Sequence, residues 1–100
     1  MEFEKEIVRD LGNFQKLIDL GNSLDRLRNN PDFNRVITQG YLHDLVLDLL
    51  FKHNGDNNSD YYQKLDSIKY LHEYLALVDA NKVTAEQSKL EYELELNNHK

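Results

Sequence analysis

Asp44 and Asp48 stand four residues apart, a spacing that puts both carboxylates on one helix face. Such a pair suits general acid/base work or a metal shell, and either role requires burial. Lys52 follows one turn later, so the pattern reads instead as a solvated stripe closed by an ion pair. Asp56-x-Asn58-x-Asp60 imitates the first three ligand positions of a calcium loop. That loop needs Gly at position six and Glu at twelve, and the chain has Tyr61 and Ser67 there, so a polar turn and a helix cap are expected. His43, His53, His72 and His99 show no HExxH or HxH spacing, His43 and Asp48 share no helix face, and His72 with Glu73 forms no pair. Ser23, Thr38, Ser59, Ser67, Thr84 and Ser88 lie in neither a nucleophile elbow nor a phosphate-binding loop. No catalytic, cofactor-binding or metal-ligating residue is assigned, no cofactor is expected, and an enzyme is not expected.

Contact chemistry is what remains. Tyr61, Tyr62, Tyr70 and Tyr74 cluster in one stretch, with Tyr41 and Tyr92 elsewhere. Tyrosine brings large area at low entropic cost to interfaces, but it also covers the margins of thin cores, and both readings stay open. The alternating run Leu90, Tyr92, Leu94, Leu96 has no single helical face. These eight residues (Tyr61, Tyr62, Tyr70, Tyr74, Leu90, Tyr92, Leu94, Leu96) are the candidate interface.

Composition narrows the classes further. The chain has 100 residues, with 12 Lys+Arg against 18 Asp+Glu and a net charge of −6. That length holds one small domain. With 40% apolar residues and a mean hydropathy of −0.71, the core is expected to be thin. Four glycines and one proline are too few for an all-β chain of tight turns. There is no cysteine, which removes disulfides and thiolate chemistry and fits a reducing compartment. MEFEKEIVRD alternates charges without an apolar segment, so no secretory signal is expected. Tyr41 to Phe51 is interrupted by His43, Asp44 and Asp48, so no membrane span is expected. The acidic balance opposes direct nucleic-acid binding, because Arg26, Arg28 and Arg35 are diluted by Asp25 and Asp32. No small-molecule substrate is expected.

The elements that place these residues read as helices. Phe3, Ile7, Leu11, Phe14 and Ile18 form one stripe, and Leu17, Leu20, Leu24 and Leu27 a second, rotated by about 120°. Gly12 and Gly21 are positioned to absorb that change. Asn30-Pro31 signals an N-cap and first helical residue. Beyond it Phe33, Val36, Ile37 and Tyr41 share one side, while Leu42, Leu45, Val46, Leu49 and Leu50 share the other. The apolar face therefore turns by about 180° at Gly40, and a break in the helix is expected there. Asn54 to Ser59 reads as a loop. Tyr61, Leu65, Ile68, Leu71, Leu75 and Val78 form a clear amphipathic stripe. After Asp79 the pattern fails, and Thr84-Ala85-Glu86-Gln87 has the spacing of a capping box, so a new helix is expected from Ala85. Leu90 to Leu96 alternates like a strand but is built of helix formers, and helix is preferred.

The segment Leu24 to Leu50 resembles a motif of small, acidic, helical tailed-bacteriophage proteins encoded in virion-structure gene clusters. Its anchors are Asn30-Pro31-Asp32-Phe33, Val36-Ile37 and Gly40-Tyr41-Leu42. The resemblance implies a virion or assembly component and carries no activity.

The expected fold is all-α: a small bundle of three to four helices over 3–29, 31–52, 59–79 and 85–97, bent near Gly21 and Gly40, with a C-terminal tail that is helical or extended. Residues 1–83 are expected to form a helical domain, and 84–100 a C-terminal helix or partner-dependent tail. Leu17, Leu24, Leu27, Phe33, Ile37, Leu45, Leu49, Leu65, Ile68, Leu71, Leu75 and Val78 are the expected core. The expected function is a non-enzymatic phage structural or assembly protein that binds other virion proteins in multiple copies, located in the virion or in host cytoplasm during assembly. The alternative is an acidic inhibitor of a host protein.

Overall fold

A computed structural model describes residues 2–53 and 59–98; the expected Asn54–Ser59 loop lies outside them except at Ser59. The described residues are all-α, and only Asn29, Asn30 and His53 stand outside helix. Helix α1 is Glu2–Arg28. The second helix comprises α2, Pro31–Phe33, a π-helical stretch, Asn34–Asp44, and α3, Leu45–Lys52, without interruption. Helix α4 is Ser59–Asn98. The chain forms two compact units, one joining Met1–Leu24 to Leu77–Lys100, the other Asp25–Ala76.

α1 places Glu2 and Glu4 in its first turn and Arg26 and Arg28 in its last, matching both ends of the helix dipole. Its end is tied off by Asn34, whose side-chain amide donates to the Arg28 carbonyl at 2.6 Å. Asn30 then caps the next helix as its sequence position predicts. Its Oδ1 accepts from the amides of Asp32 (2.9 Å) and Phe33 (3.3 Å), and Pro31 follows at the first helical position.

The chain does not leave the helix at Gly40. It widens instead into π-helix, and the Leu45 amide donates to the Gly40 carbonyl five residues back. A π turn rotates each residue by roughly 85° where an α turn rotates it by about 100°, so eleven residues lose about 165° of phase. That loss offsets the face reversal that an α wheel assigns to Gly40. Phe33, Ile37, Tyr41, Leu45 and Leu49, every fourth residue, consequently form one continuous half-buried line along this helix, and His53 just past its end extends it. Gly40 fits the widened turn because a methyl there would meet the Arg35 carbonyl oxygen at 3.0 Å.

α4 is one helix where two were expected. No Gly or Pro falls between Ser59 and Asn98, so nothing in the backbone ends it. Ion pairs at i,i+4 brace it, Lys64–Asp60 at 2.9 Å, Lys69–Glu73 at 3.9 Å and Lys82–Glu86 at 3.9 Å. Ala85 is 1% exposed in mid-helix and starts nothing. Residues 84–98 are the end of α4, and the alternating run 90–96 is helical. The inward stripe of Tyr61, Leu65, Ile68, Leu71, Leu75 and Val78 continues past Asp79 as Lys82, Ala85, Lys89, Tyr92 and Leu96.

In the first unit α1 and α4 run antiparallel, as their pairs show: Gly21 with Lys82, Gln15 with Lys89, Phe14 with Tyr92. Ile7, Gly21, Leu24, Val78 and Ala85 are its buried residues. Leu27, expected in the core, is 44% exposed. The buried face of α1 follows the first stripe, Ile7, Leu11, Phe14 and Ile18, onward to Gly21 and Leu24, and leaves Leu20 and Leu27 outside it.

Candidate functional site

The second unit holds an open groove of about 440 Å³ between the 31–52 helix and the start of α4. Tyr41, Leu45 and Leu49 line one side, and Tyr61 and Ser67 the other. The period-four line of the π segment brings Tyr41 there, where its hydroxyl meets Ser67 Oγ at 2.6 Å. Ser67 Oγ donates to the Lys64 carbonyl at 2.7 Å, so it accepts from Tyr41, and among the described residues no base is hydrogen-bonded to it. His53 stacks on Tyr61 at 3.9 Å, and Tyr62 meets the Tyr61 ring edge-on at 5.2 Å. Asp48 pairs with Lys52 at 3.0 Å on the surface, the ion pair that their spacing predicts. Of the calcium-like positions, Asp56 and Asn58 lie outside the described residues, and Asp60 pairs with Lys64.

Gln39, His43 and Asp44 form a surface cluster absent from the expected sites. Gln39 donates to Asp44 Oδ1 at 2.9 Å, and His43 Nδ1 lies 3.0 Å from the same oxygen. These hydrogen bonds, His43 first and Gln39 second, hold the Asp44 carboxyl below its ordinary value. His43 and Asp44 are each 60% exposed, and among the described residues no nucleophile is hydrogen-bonded to them, which suits helix bracing better than proton transfer. Among the described residues no group of three or more His, Asp or Glu is placed to hold a metal ion. No helix there is long and apolar enough to cross a membrane.

The candidate interface residues divide between the units. Tyr61 is half-buried against His53, while Tyr62, Tyr70 and Tyr74 are exposed along the same unit's part of α4. In the first unit Tyr92 and Leu96 are half-buried, and Leu90 and Leu94 are more than half exposed. Tyr92 packs its ring edge against Phe14 at 5.3 Å and sets its hydroxyl 3.4 Å from Asp10 Oδ2. The charge of Asp10, then burial and that hydrogen bond, then Glu95 and Glu6, raise the Tyr92 phenol above its ordinary value.

Val83, at 63% exposed, was outside the expected set and belongs beside Leu90 and Leu94. The three recur at seven and four residues, one face of a helix. That face differs from the inward stripe of Val78, Lys82, Ala85 and Lys89. The spacing was the available signal, hidden because Leu96 and Tyr92 of the same run point inward. Compared with protein-family models, with curated proteins and with solved structures, the chain matches none of them.

Proposed function

We propose that the chain is a non-enzymatic component of a bacteriophage particle or of its assembly, binding other virion proteins in multiple copies. The observation that carries the binding role is the outward apolar line Val83, Leu90, Leu94 on α4. A two-helix unit has no element of its own left to cover that line, and exposed apolar stripes of this kind serve protein contacts. The virion setting rests on the resemblance of the Asn30-Pro31-Asp32-Phe33 to Gly40-Tyr41-Leu42 segment. Interface burial around leucine and tyrosine anchors would supply the energy, with the acidic residues at the rim. The net charge of −6 supports protein partners over nucleic acid.

Quantitative mass spectrometry of gradient-purified phage particles tests this reading. A fixed ratio to the capsid protein is the expected result, and the ratio separates a ring of few copies from decoration of the whole shell. Absence from particles, with presence in infected cells, would overturn the virion role and favour the acidic inhibitor of a host protein.

A further inference from the structure

We propose that the α1–α4 face of the first unit is a seat for a basic amphipathic helix of a partner protein. The proposal rests on the protein-binding reading above and names the chemistry of the partner.

Two open troughs lie end to end along this face. One, of about 880 Å³, has Ile7 and Val8 of α1 and Leu96 of α4 in its walls, with Glu4 and Glu93 at its edges. The other, of about 600 Å³, is walled by Ile18, Val83 and Leu90 and edged by Glu86 and Glu93, with Lys89 also in its lining. Glu93 borders both, so the two form one line. From the level of Phe3 to that of Ile18 the line covers fifteen residue steps of α1, about 22 Å at 1.5 Å per residue, the length of a four-turn helix.

Charge selects the occupant. The unit carries ten Asp+Glu against six Lys+Arg. Of the basic groups near the line, Lys89 is turned to Gln15 Oε1 at 2.7 Å and Lys82 to Glu86. Among the described residues neither Glu4 nor Glu93 has an ion-pair partner. A second copy of this chain would bring carboxylates against carboxylates. A helix with leucines at three- and four-residue spacing and Lys or Arg beside them would meet both the apolar floor and the acidic edges.

The test uses the full chain and two labelled eighteen-residue helical peptides with the same leucine stripe, one flanked by lysines and one by glutamates, read by fluorescence anisotropy. The lysine peptide is expected to bind, and to weaken as salt rises. Glu86→Lys with Glu93→Lys is expected to weaken it at least ~10-fold, and Leu90→Asp to abolish it, with circular dichroism unchanged because Leu90 is 57% exposed. Equal binding of both peptides, no effect of Leu90→Asp, or no binding at all would overturn the proposal. So would concentration-dependent dimerisation in sedimentation that Leu90→Asp removes, which would make a second copy the occupant. The chain in particles without peptide binding would sink the basic-helix seat alone. Peptide binding by a chain absent from particles would sink the virion reading alone.

Discussion

Gly21 of α1 and Lys82 of α4 pack backbone against side-chain stem: a methyl built on Gly21 would lie 2.6 Å from Lys82 Cβ and 2.5 Å from its Cδ. Cδ can move with the rotamer, but Cβ is fixed to the α4 backbone, so any side chain at position 21 must push the helices apart. The inward stripe of α4 carries a lysine at this level, and the aliphatic stem of that lysine closes over the glycine.

Gly21→Ala is therefore expected to destabilise the protein by about 1–3 kcal/mol through overpacking, despite the helix-propensity gain of about 1 kcal/mol. Gly12→Ala provides the contrast, since nothing lies within 4 Å of a methyl there. It is expected to stabilise by about 0.5–1 kcal/mol. Urea titrations of the two variants check the pair, and equal shifts would refute the close approach at Gly21.

Gly40→Ala is expected to lower stability by roughly 1 kcal/mol, because the methyl would press on the Arg35 carbonyl, which belongs to the backbone of the wide turn. In an ordinary α-helix the same change would stabilise. Denaturant midpoints give the sign, and a gain in stability would argue that the π turn is absent.

Tyr92 supplies a pH prediction. Its phenol is raised in the folded protein by Asp10 first, so the protonated form is favoured by folding. The associated stability is fully present below the unfolded value near 10 and is lost as pH rises through the higher folded value. Tyr92→Phe should remove this part of the alkaline loss while keeping the ring contact with Phe14. Thermal melts between pH 8 and 11 should therefore diverge less from neutral-pH melts in the variant; parallel curves for both proteins would contradict it.

Leu94→Asp is expected to fold normally, because Leu94 is 56% exposed, and to abolish incorporation into particles. An unfolded variant by circular dichroism would place Leu94 in the core. A folded variant still found in particles would remove this residue from the contact.

Local chemistry alone fixed much of this molecule. Asn30-Pro31 determined where one helix stops and the next begins, because a side-chain acceptor and a missing amide act within three residues. The stripe from Tyr61 to Val78 determined the inward face of α4 there, since apolar residues at helical spacing have one way to be buried. The Asp48–Lys52 ion pair was equally local. Tertiary structure decided the rest. A wheel of fixed pitch broke the helix at Gly40, whereas packing kept every fourth residue from Phe33 to His53 on one side by widening the turn, a change of pitch that residue spacing does not encode. Past Asp79 the capping-box spacing of Thr84 to Gln87 pointed to a new helix, and the alternating leucines to an unfinished tail. In the fold Lys82, Ala85 and Lys89 face α1, because the aliphatic stem of Lys82 closes over Gly21 and Lys89 reaches Gln15 across the pair, and Val83, Leu90 and Leu94 are left facing out.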